Sequence, residues 1–429
     1  MSVGSLAAQT LEPAVWPQPR PLNEDRLAEL GLRVVRGEHV TLVTDLAPSA
    51  EIDRLPSIAS LALPELIDYF PAERDAVSDW HVQAYLIGER EKFAAAGLLP
   101  PTGHGEFLHG LSMGYELWLN EQPTDYYRRA LFLHELAHSF MATLLGSCGP
   151  SWYMEAVAEL QGAHEYDARA NKLRLGVMPA SRDVAPSWGR VPLVRAATDA
   201  NGNPAPLAIN AIMQIDNRRV LGVESYAWVW ALAKFLDTHP RYQDRFRKLP
   251  EIVLRQDFNQ RFRDAYREDW RELSVEFRLF AATLEYGHDL AREAIDFSDG
   301  DPLDAGTVRQ ATVQANRGWQ AAGVAVRQGV AYRYKCDGEF VIAREPDDTP
   351  WPCQAGGVTI EYHGGRPLGQ LLAAVDAEDG FLRPLALGVR GEFTAPATGT
   401  LYLRVNDSPA QLADNEGTLR FAVRRVASD

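Results

Sequence analysis

Apolar residues recur along this chain with two different spacings, and the change falls near residue 300. Before that point they repeat mostly every three or four positions, which predicts amphipathic helices, and a few alternating runs predict strands. The predicted strands cover residues 37–45, 80–87 and 114–119, and the predicted helices cover 52–70, 124–146, 151–160, 224–236, 241–248, 259–266 and 270–286. After that point the period is two, and short strands are predicted at 307–315, 329–335, 357–362, 371–375, 391–395, 399–405 and 418–426. Strands of this number and spacing are typical of a sandwich.

An acidic, turn-rich segment at residues 296–306 separates the two patterns and predicts a domain boundary. A chain of 429 residues exceeds what a single core usually holds, and 46% hydrophobic with 24% charged residues is typical of globular protein. The fold class that we expect is therefore multidomain α+β. It comprises a Pro-rich extended leader over residues 1–30, a small sheet with helices over 31–298, and an all-β sandwich over 305–429.

Charge and cysteine content narrow the function classes. The net charge is −15, and the sequence has neither a basic stripe nor a basic amphipathic helix, so we expect no nucleic-acid partner and no anionic membrane surface. No apolar run approaches the length of a membrane span. Three cysteines cannot all pair within one chain. Cys336 and Cys353 share the predicted β domain and are candidates for a bridge in an oxidising compartment, whereas Cys148 is expected to be a free thiol.

The chain carries a His-Glu-x-x-His motif in the middle of a predicted helix. Thr124 is a candidate N-cap and Gly146 a candidate C′ residue, and His134 and His138 lie one turn apart with Glu135 beside them. Two imidazoles at this spacing reach one zinc ion, and the glutamate activates a water. Many helices carry two histidines and a glutamate without binding metal. Here apolar neighbours surround the three polar residues, and a metal would compensate their burial.

A second helix follows and offers the third ligand. Met141 and Leu144 occupy the positions where the metzincin pattern needs glycine and histidine. The metzincin class of zinc peptidases is therefore excluded. The next helix carries Glu155 and Glu159 on one face, and this arrangement resembles the gluzincins (peptidase-MA-like zinc metallopeptidases). The resemblance implies that Glu155 is the third zinc ligand and that Glu159 holds the other N–H of a ligand imidazole. It departs from the family at Ala156, where relatives usually have glycine. Without the motif, two carboxylates one turn apart would be a solvated helix face.

The gluzincin resemblance covers roughly the first 290 residues and assigns further roles. It implies that the strand before the active helix is a sheet edge where a peptide or protein substrate pairs, so Gly114, Tyr115 and Glu116 are candidate substrate-binding residues. A buried strand explains them equally well. Tyr226 is the candidate donor to the tetrahedral oxyanion, with a core tyrosine as the alternative. His164 is expected at the surface.

The last loop of the β domain concentrates oxygen ligands. With residues 316–324 and 367–371, the segment 403–417 resembles the bacterial galactophilic calcium-lectin domain, which implies Ca²⁺ and a galactose-like carbohydrate. The residues that this resemblance assigns to calcium are Asp407, Asp414 and Asn415 by their side chains and Gln411 by its carbonyl. Ordinary turn chemistry accounts for the same residues without an ion.

Three functions therefore compete. The first is a zinc metallopeptidase of gluzincin type with an accessory β-sandwich. The second is a carbohydrate- or surface-binding protein with a catalytically silent metallopeptidase-like scaffold, and the third is an interaction protein in which both sites are structural. Localisation stays open, because the N-terminus lacks a signal-peptide pattern whereas a calcium module of the extracellular kind favours export.

Overall fold

The computed structural model describes residues 9–101, 107–198, 202–216, 222–304, 306–377 and 380–426. Contacts divide the chain into two compact units. The first comprises Met1–Leu193, Leu207–Asp237 and Tyr242–Arg267, and the second comprises Val194–Pro206, Thr238–Arg241 and Glu268–Asp429.

The first unit, mixed α and β, contains most of the helices. They are α1 (Glu24–Glu29), α2 (Ala50–Asp53), α3 (Leu55–Tyr69), α4 (Arg74–Ser78), α5 (Arg90–Ala95), α6 (Asp125–Leu144), α7 (Ser151–Gly162), α8 (Arg190–Arg195), α9 (Ile209–Ile212), α10 (Val223–Thr238), α11 (Gln243–Phe246) and α12 (Phe258–Ala265), of which α8 and α10 end beyond the unit. The strands are β1 (Arg33–Arg36), β2 (Val40–Thr44), β3 (Val82–Ile87), β4 (Gly110–Met113), β5 (Glu116–Asn120), β6 (His164–Asp167) and β7 (Lys172–Leu175).

Five strands of this unit form one sheet in the order β1-β2-β3-β5-β4. The pairs β2-β3 and β3-β5 are parallel, and both ends of the sheet are antiparallel hairpins. The central strands β2 and β3 are buried throughout. Fully buried strands are typical of parallel pairs that are covered on both faces. The sequence pattern missed β1 and β4, the two outer strands.

Helix α6 has the caps that the sequence predicts. The Thr124 hydroxyl accepts a hydrogen bond of 3.2 Å from the Tyr127 N–H, and Gly146 follows the helix with a φ of +75°. Helix α7 begins differently from the sequence-based expectation that Ser151 is its N-cap. Pro150 is the N-cap, no side chain caps the helix from that position, and Ser151 is the first helical residue.

The leader is hydrogen-bonded to the rest of the first unit. Its residues 1–8 lie outside the described part of the chain. The Leu11 N–H donates to the Leu254 carbonyl at 2.7 Å, and the Ala14 N–H donates to the Gly146 carbonyl at 2.9 Å. Arg20 forms an ion pair of 3.0 Å with Glu116. Helix α1 lies within the range predicted as an extended leader.

The second unit contains helices α13 (Trp270–Thr283) and α14 (Leu290–Glu293) and the remaining strands. These are β8 (Asp301–Pro302), β9 (Val308–Gln314), β10 (Gln320–Val326), β11 (Ala331–Asp337), β12 (Phe340–Arg344), β13 (Pro350–Cys353), β14 (Gly356–His363), β15 (Arg366–Val375), β16 (Leu385–Ala386), β17 (Arg390–Thr394), β18 (Gly399–Val405) and β19 (Glu416–Arg425). One sheet has the order β14-β15-β18-β10-β8 with β16 beside β15, and the other has β13-β12-β19-β11-β17 with β9 beside β19. Their buried faces share one apolar core. The predicted fold class, α+β followed by a β-sandwich, is confirmed.

Two details of the second unit differ from the sequence-based expectations. Helix α13 was predicted as part of the peptidase domain, but its Leu279 packs with Trp319, Phe381 and Tyr402 of the β unit. The candidate bridge is also excluded in this fold. Cys336 lies on β11 and Cys353 on β13, and two strands stand between them, a separation of about 14 Å, twice what a disulfide spans.

Within the described residues, none of the helices combines the length and the apolar character that crossing a bilayer requires.

Candidate metal centre

The two histidines of the motif converge on one point. Because they are four residues apart on α6, their side chains lie one turn apart on the same face. The two rings meet edge to face, and His134 Nε2 lies 3.0 Å from His138 Nε2. Both residues are buried, at 7% and 9% exposure. Two nitrogens at this distance could both coordinate one metal ion.

Helix α7 supplies the third donor. Glu155 Oε2 lies 3.4 Å from His134 Nε2 and 3.4 Å from His138 Nε2. Among the described residues, this trio is the group of His, Cys, Asp and Glu side chains whose donor atoms could hold a metal ion. In a tetrahedral site with bonds of about 2.05 Å, donor atoms are about 3.3 Å apart. The observed separations fit that geometry.

Glu159 lies one turn beyond Glu155 and behind His134. Its Oε1 is 3.4 Å from His134 Nδ1, the ring nitrogen that faces away from Glu155. Arg190, on the short helix α8, donates to both oxygens of Glu159 at 2.8 and 2.9 Å. The sequence pattern did not single out Arg190, because α8 lies in a passage that reads as irregular. No spacing along the chain relates it to α6 or α7.

Opposite charges set the protonation of these groups. Burial lowers the pKa of His134, but the Glu155 and Glu159 carboxylates outweigh it and raise that pKa to about 10. Burial also lowers the pKa of His138, but the negative charge of Glu155 outweighs it and raises that pKa to about 9. Burial raises the pKa of Glu159, but Arg190 and His134 bring it down to about 2, and the two imidazoles lower that of Glu155 as well. The carboxylates of Glu155 and Glu159 therefore stabilise positive charge on the two imidazoles and on Arg190. The pocket favours a cation for the same reason.

Glu135 is on the same helix but stands apart from the donor trio. It is buried, and burial raises its pKa despite the neighbouring imidazoles. Strand β4 passes directly beside its carboxylate, since a Cβ atom at Gly110 would lie 2.3 Å from Glu135 Oε1. A buried carboxylate with a raised pKa is a stronger proton acceptor than a solvated one.

Tyr226 reaches the same pocket from α10. Its ring centre is 6.1 Å from that of His134, and the Arg190 guanidinium lies 6.0 Å from the Tyr226 ring. Burial and the charge of Glu155 raise its pKa, so the phenol keeps its proton. The structure therefore brings His134, Glu135, His138, Glu155, Glu159 and Tyr226 together.

The predicted substrate strand is placed differently. Gly114 and Tyr115 form the turn between β4 and β5, and Glu116 is occupied by Arg20 and by the Tyr85 hydroxyl at 2.5 Å. The prediction that this strand is the sheet edge is wrong, because β5 pairs with β3 on one side and β4 on the other. In the described chain the edge beside the pocket is β4.

The expectation for His164 is also wrong. Its ring is 3% exposed and stacks on Tyr126 at 4.5 Å, with the Arg129 guanidinium 3.3 Å from its Nε2. Burial, with the charge of Arg129, lowers its pKa to about 4. Its partners show that it is a neutral core residue.

The loop predicted to bind calcium is partly buried. Asp407 and Asn415 are 2% and 1% exposed, and the Asn415 amide donates to Asp407 Oδ2 at 2.7 Å. Asn415 Oδ1 is buried with no hydrogen-bond partner in the described residues. Gln411 and Asp414 lie on the exposed side, and the Gln411 carbonyl accepts the Asp414 N–H at 3.3 Å. Burial raises the pKa of Asp407 to about 6, and the charge of Asp414 adds to this.

Comparisons with known proteins add little to this geometry. No family model matches the chain, and no curated protein does. Among solved structures, a chain described as "EclA N-terminal domain; PllA-like lectin" is 22% identical, covers 27% of this chain and 95% of that chain, and has a TM-score of 0.22. The similarity is weak and covers a small part of the chain.

Proposed function

We propose that the first unit is a zinc-dependent metallopeptidase. One observation supports this above the others: Nε2 of His134, Nε2 of His138 and Oε2 of Glu155 are mutually 3.0 to 3.4 Å apart. That is the spacing of three corners of a zinc tetrahedron, about 3.3 Å, with the fourth corner free for water or substrate. His134, His138 and Glu155 would hold the ion. When bound, zinc supplies a Lewis acid that acidifies water and polarises a carbonyl group.

The protein's own groups move the protons. The Glu135 carboxylate accepts a proton from the attacking water, and the same carboxyl group then donates it to the leaving amine as the C–N bond breaks. Burial raises the pKa of Glu135 above that of a solvated carboxyl group, which strengthens it as a proton acceptor. The Tyr226 hydroxyl, which stays protonated, donates a hydrogen bond to the oxygen that gains negative charge.

Strand β4 offers the backbone that a peptide substrate needs. The Asn120 N–H donates to the His109 carbonyl at 2.8 Å. Because bonding alternates along an antiparallel pair, Gly110 and Ser112 direct their N–H and C=O groups away from β5. An extended peptide pairing with these groups would lie beside Glu135, which favours a peptide bond over other amides.

The alternative is a binding protein with a catalytically silent scaffold. Glu135 favours the enzyme, because a purely structural zinc site needs four protein ligands and no adjacent base. In a silent scaffold, zinc would bind but replacing Glu135 would change nothing that can be measured.

The test combines metal analysis with hydrolysis. Purified protein supplemented with zinc is analysed by mass spectrometry for metal content and assayed on fluorescently labelled casein, as wild type, Glu135→Gln and Glu165→Gln. Glu165 is the matched control, an exposed carboxylate of the same unit. We expect about one zinc per chain in all three proteins, with hydrolysis lost in Glu135→Gln alone, by about 100-fold or more. Absence of zinc would contradict the proposal, as would equal activity in the three proteins.

We also propose that the 403–417 loop binds calcium and, through it, a carbohydrate. The supporting observation is the unpartnered Asn415 Oδ1 beside the buried Asp407 carboxylate, a pair of oxygens of the kind that Ca²⁺ prefers. Arg404 donates to the Asp407 carbonyl, but its own charge is balanced by Glu293 at 2.9 Å. Titration calorimetry with CaCl₂, followed by chromatography on galactose–agarose with and without EDTA, tests both steps. Asp407→Asn should abolish calcium binding and Asp348→Asn, at an exposed position, should not; a wild type without calcium affinity refutes the proposal.

A further inference from the structure

The outer face of one sheet of the second unit concentrates basic side chains. On β11 and β19, Tyr332, Tyr334, Phe421 and Val423 point into the core. Their sequence neighbours therefore point outward, because side chains alternate between the two faces of a strand. The exposed basic residues that share this outer face are Arg333 and Lys335 on β11, Arg390 on β17, and Arg420 and Arg424 on β19. We refer to these five residues as the basic face.

The strand register brings these residues side by side. Arg333 is opposite Arg424, and Lys335 is opposite Arg390 on one side and Ala422 on the other. The small Ala422 side chain on the central strand leaves a shallow depression of about 510 Å³ between the longer chains. An acidic group placed there would be within reach of several cationic heads at once.

Most of this positive charge is not neutralised within the described chain. Arg333 pairs with Glu392 at 2.5 Å, and Lys335 pairs with Asp337 at 2.8 Å. Arg390, Arg420 and Arg424 have no ion pair with any described residue. The chain as a whole has a net charge of −15, so a local excess of cations runs against its overall electrostatic character. Like charges held close together are unfavourable unless an anionic partner compensates them.

We propose that the basic face binds an acidic polysaccharide through its sulfate or carboxylate groups. Arginine is the residue best suited to this task, because its planar guanidinium forms two parallel hydrogen bonds with such anions. The outward side chains of β11, β17 and β19 include no aromatic residue, so the face lacks the stacking platform that single-stranded nucleic acid uses. The depression beside Ala422 suits a narrow chain of anionic groups better than the flat surface of an anionic membrane.

The experiment measures binding of the full chain to defined polyanions. Dextran sulfate is immobilised for surface plasmon resonance, beside neutral dextran, single-stranded DNA and vesicles that contain phosphatidylglycerol. The proteins are the wild type, Arg390→Ser/Arg424→Ser, and the matched control Arg26→Ser/Arg74→Ser, which makes the same charge change at two exposed arginines of the first unit. Circular dichroism confirms that all three are folded.

We expect the wild type to bind dextran sulfate and not neutral dextran, with an affinity that falls as salt rises. The Arg390/Arg424 variant should bind at least about tenfold more weakly, which corresponds to about 1.4 kcal/mol, and the control should bind as the wild type does. Equal weakening in both variants would show that only net charge matters and would overturn the site. Tighter binding to DNA or to the vesicles than to dextran sulfate would overturn the choice of partner.

Discussion

Glu159 and Arg190 form a buried, two-point ion pair, with hydrogen bonds of 2.8 and 2.9 Å and side chains that are 7% and 8% exposed. The same carboxylate lies 3.4 Å from His134 Nδ1. Arg190 therefore orients Glu159, and Glu159 in turn orients His134, a proposed zinc ligand. Arg190 itself contacts none of the three donor atoms.

Replacing Arg190 with methionine should weaken zinc binding and stability together. The substitution leaves Glu159 buried without its partner, a loss of about 3 to 5 kcal/mol in the free energy of unfolding. Zinc affinity should fall by about 10- to 100-fold, as expected when a group that supports a metal ligand is disturbed. Chemical denaturation and competition with a chromophoric chelator measure the two effects. Arg195→Met, at a half-exposed ion pair on the same helix, is the control and should change neither. An unchanged zinc affinity in Arg190→Met would show that the ion pair is structural only.

The two glutamates of α7 should differ in their effect on zinc. Glu155→Ala removes a donor atom, whereas Glu159→Ala leaves all three donor atoms in place and removes the carboxylate that pairs with His134 Nδ1 and with Arg190. We therefore expect the zinc dissociation constant to rise far more in Glu155→Ala than in Glu159→Ala, which should show the 10- to 100-fold change estimated for a supporting group. Zinc titration of the two folded variants against the same chelator decides this. Similar losses in both would leave the third ligand unassigned.

Gly110→Ala should impair hydrolysis while zinc stays bound. Gly110 has no positive φ, so alanine fits its backbone, but the new Cβ atom would lie 2.3 Å from Glu135 Oε1 and 2.9 Å from its Cδ. The flexible carboxylate moves aside at a cost of about 1 to 3 kcal/mol. Activity should fall by about 100-fold or more, approaching the loss of a general base.

The control for this variant is Gly189→Ala, where no atom lies within 4 Å of the added Cβ. Casein hydrolysis and zinc content are measured for both variants. A Gly110→Ala protein as active as the control would mean that Glu135 does not work from the position seen here.

Stability should fall in mild acid, in part because of His164. Its pKa is lowered to about 4 in the folded protein, whereas an unfolded histidine titrates near 6.5. Between pH 6.5 and 4, His164 is therefore protonated in the unfolded chain but neutral in the folded protein. The neutral His164 ring therefore contributes to the free energy of unfolding in full above pH 6.5. This contribution, about 3 kcal/mol, is lost as the pH falls toward 4.

This pH dependence is checked by denaturation of the wild type and His164→Gln between pH 4 and 7.5. The variant should be less stable at pH 7.5, because its ring contact with Tyr126 is gone, but its stability should change less with pH. Parallel pH curves for the two proteins would show that His164 does not titrate as the structure implies.

The local chemistry of this protein is determined by sequence alone. His134 and His138 face one point because a helix repeats every 3.6 residues, and Glu155 and Glu159 share a face for the same reason. Thr124 and Gly146 mark the ends of α6 through bonds to residues a few positions away. Each of these relationships spans about one turn of chain, so spacing suffices to predict it. The alternating pattern after residue 300 predicts the sandwich in the same way.

Contacts between residues far apart in the chain were decided only by the tertiary structure. Arg190 meets Glu159 across 31 positions, and Arg20 meets Glu116 across 96. Strand β4 is the edge beside Glu135 because β5 pairs on both sides, and His164 is buried because Tyr126 covers its ring. A sequence pattern records which face of an element is apolar, but not which partner packs against it. The partner depends on the whole set of packing contacts. Those contacts place Arg190 next to Glu159, behind the proposed zinc site.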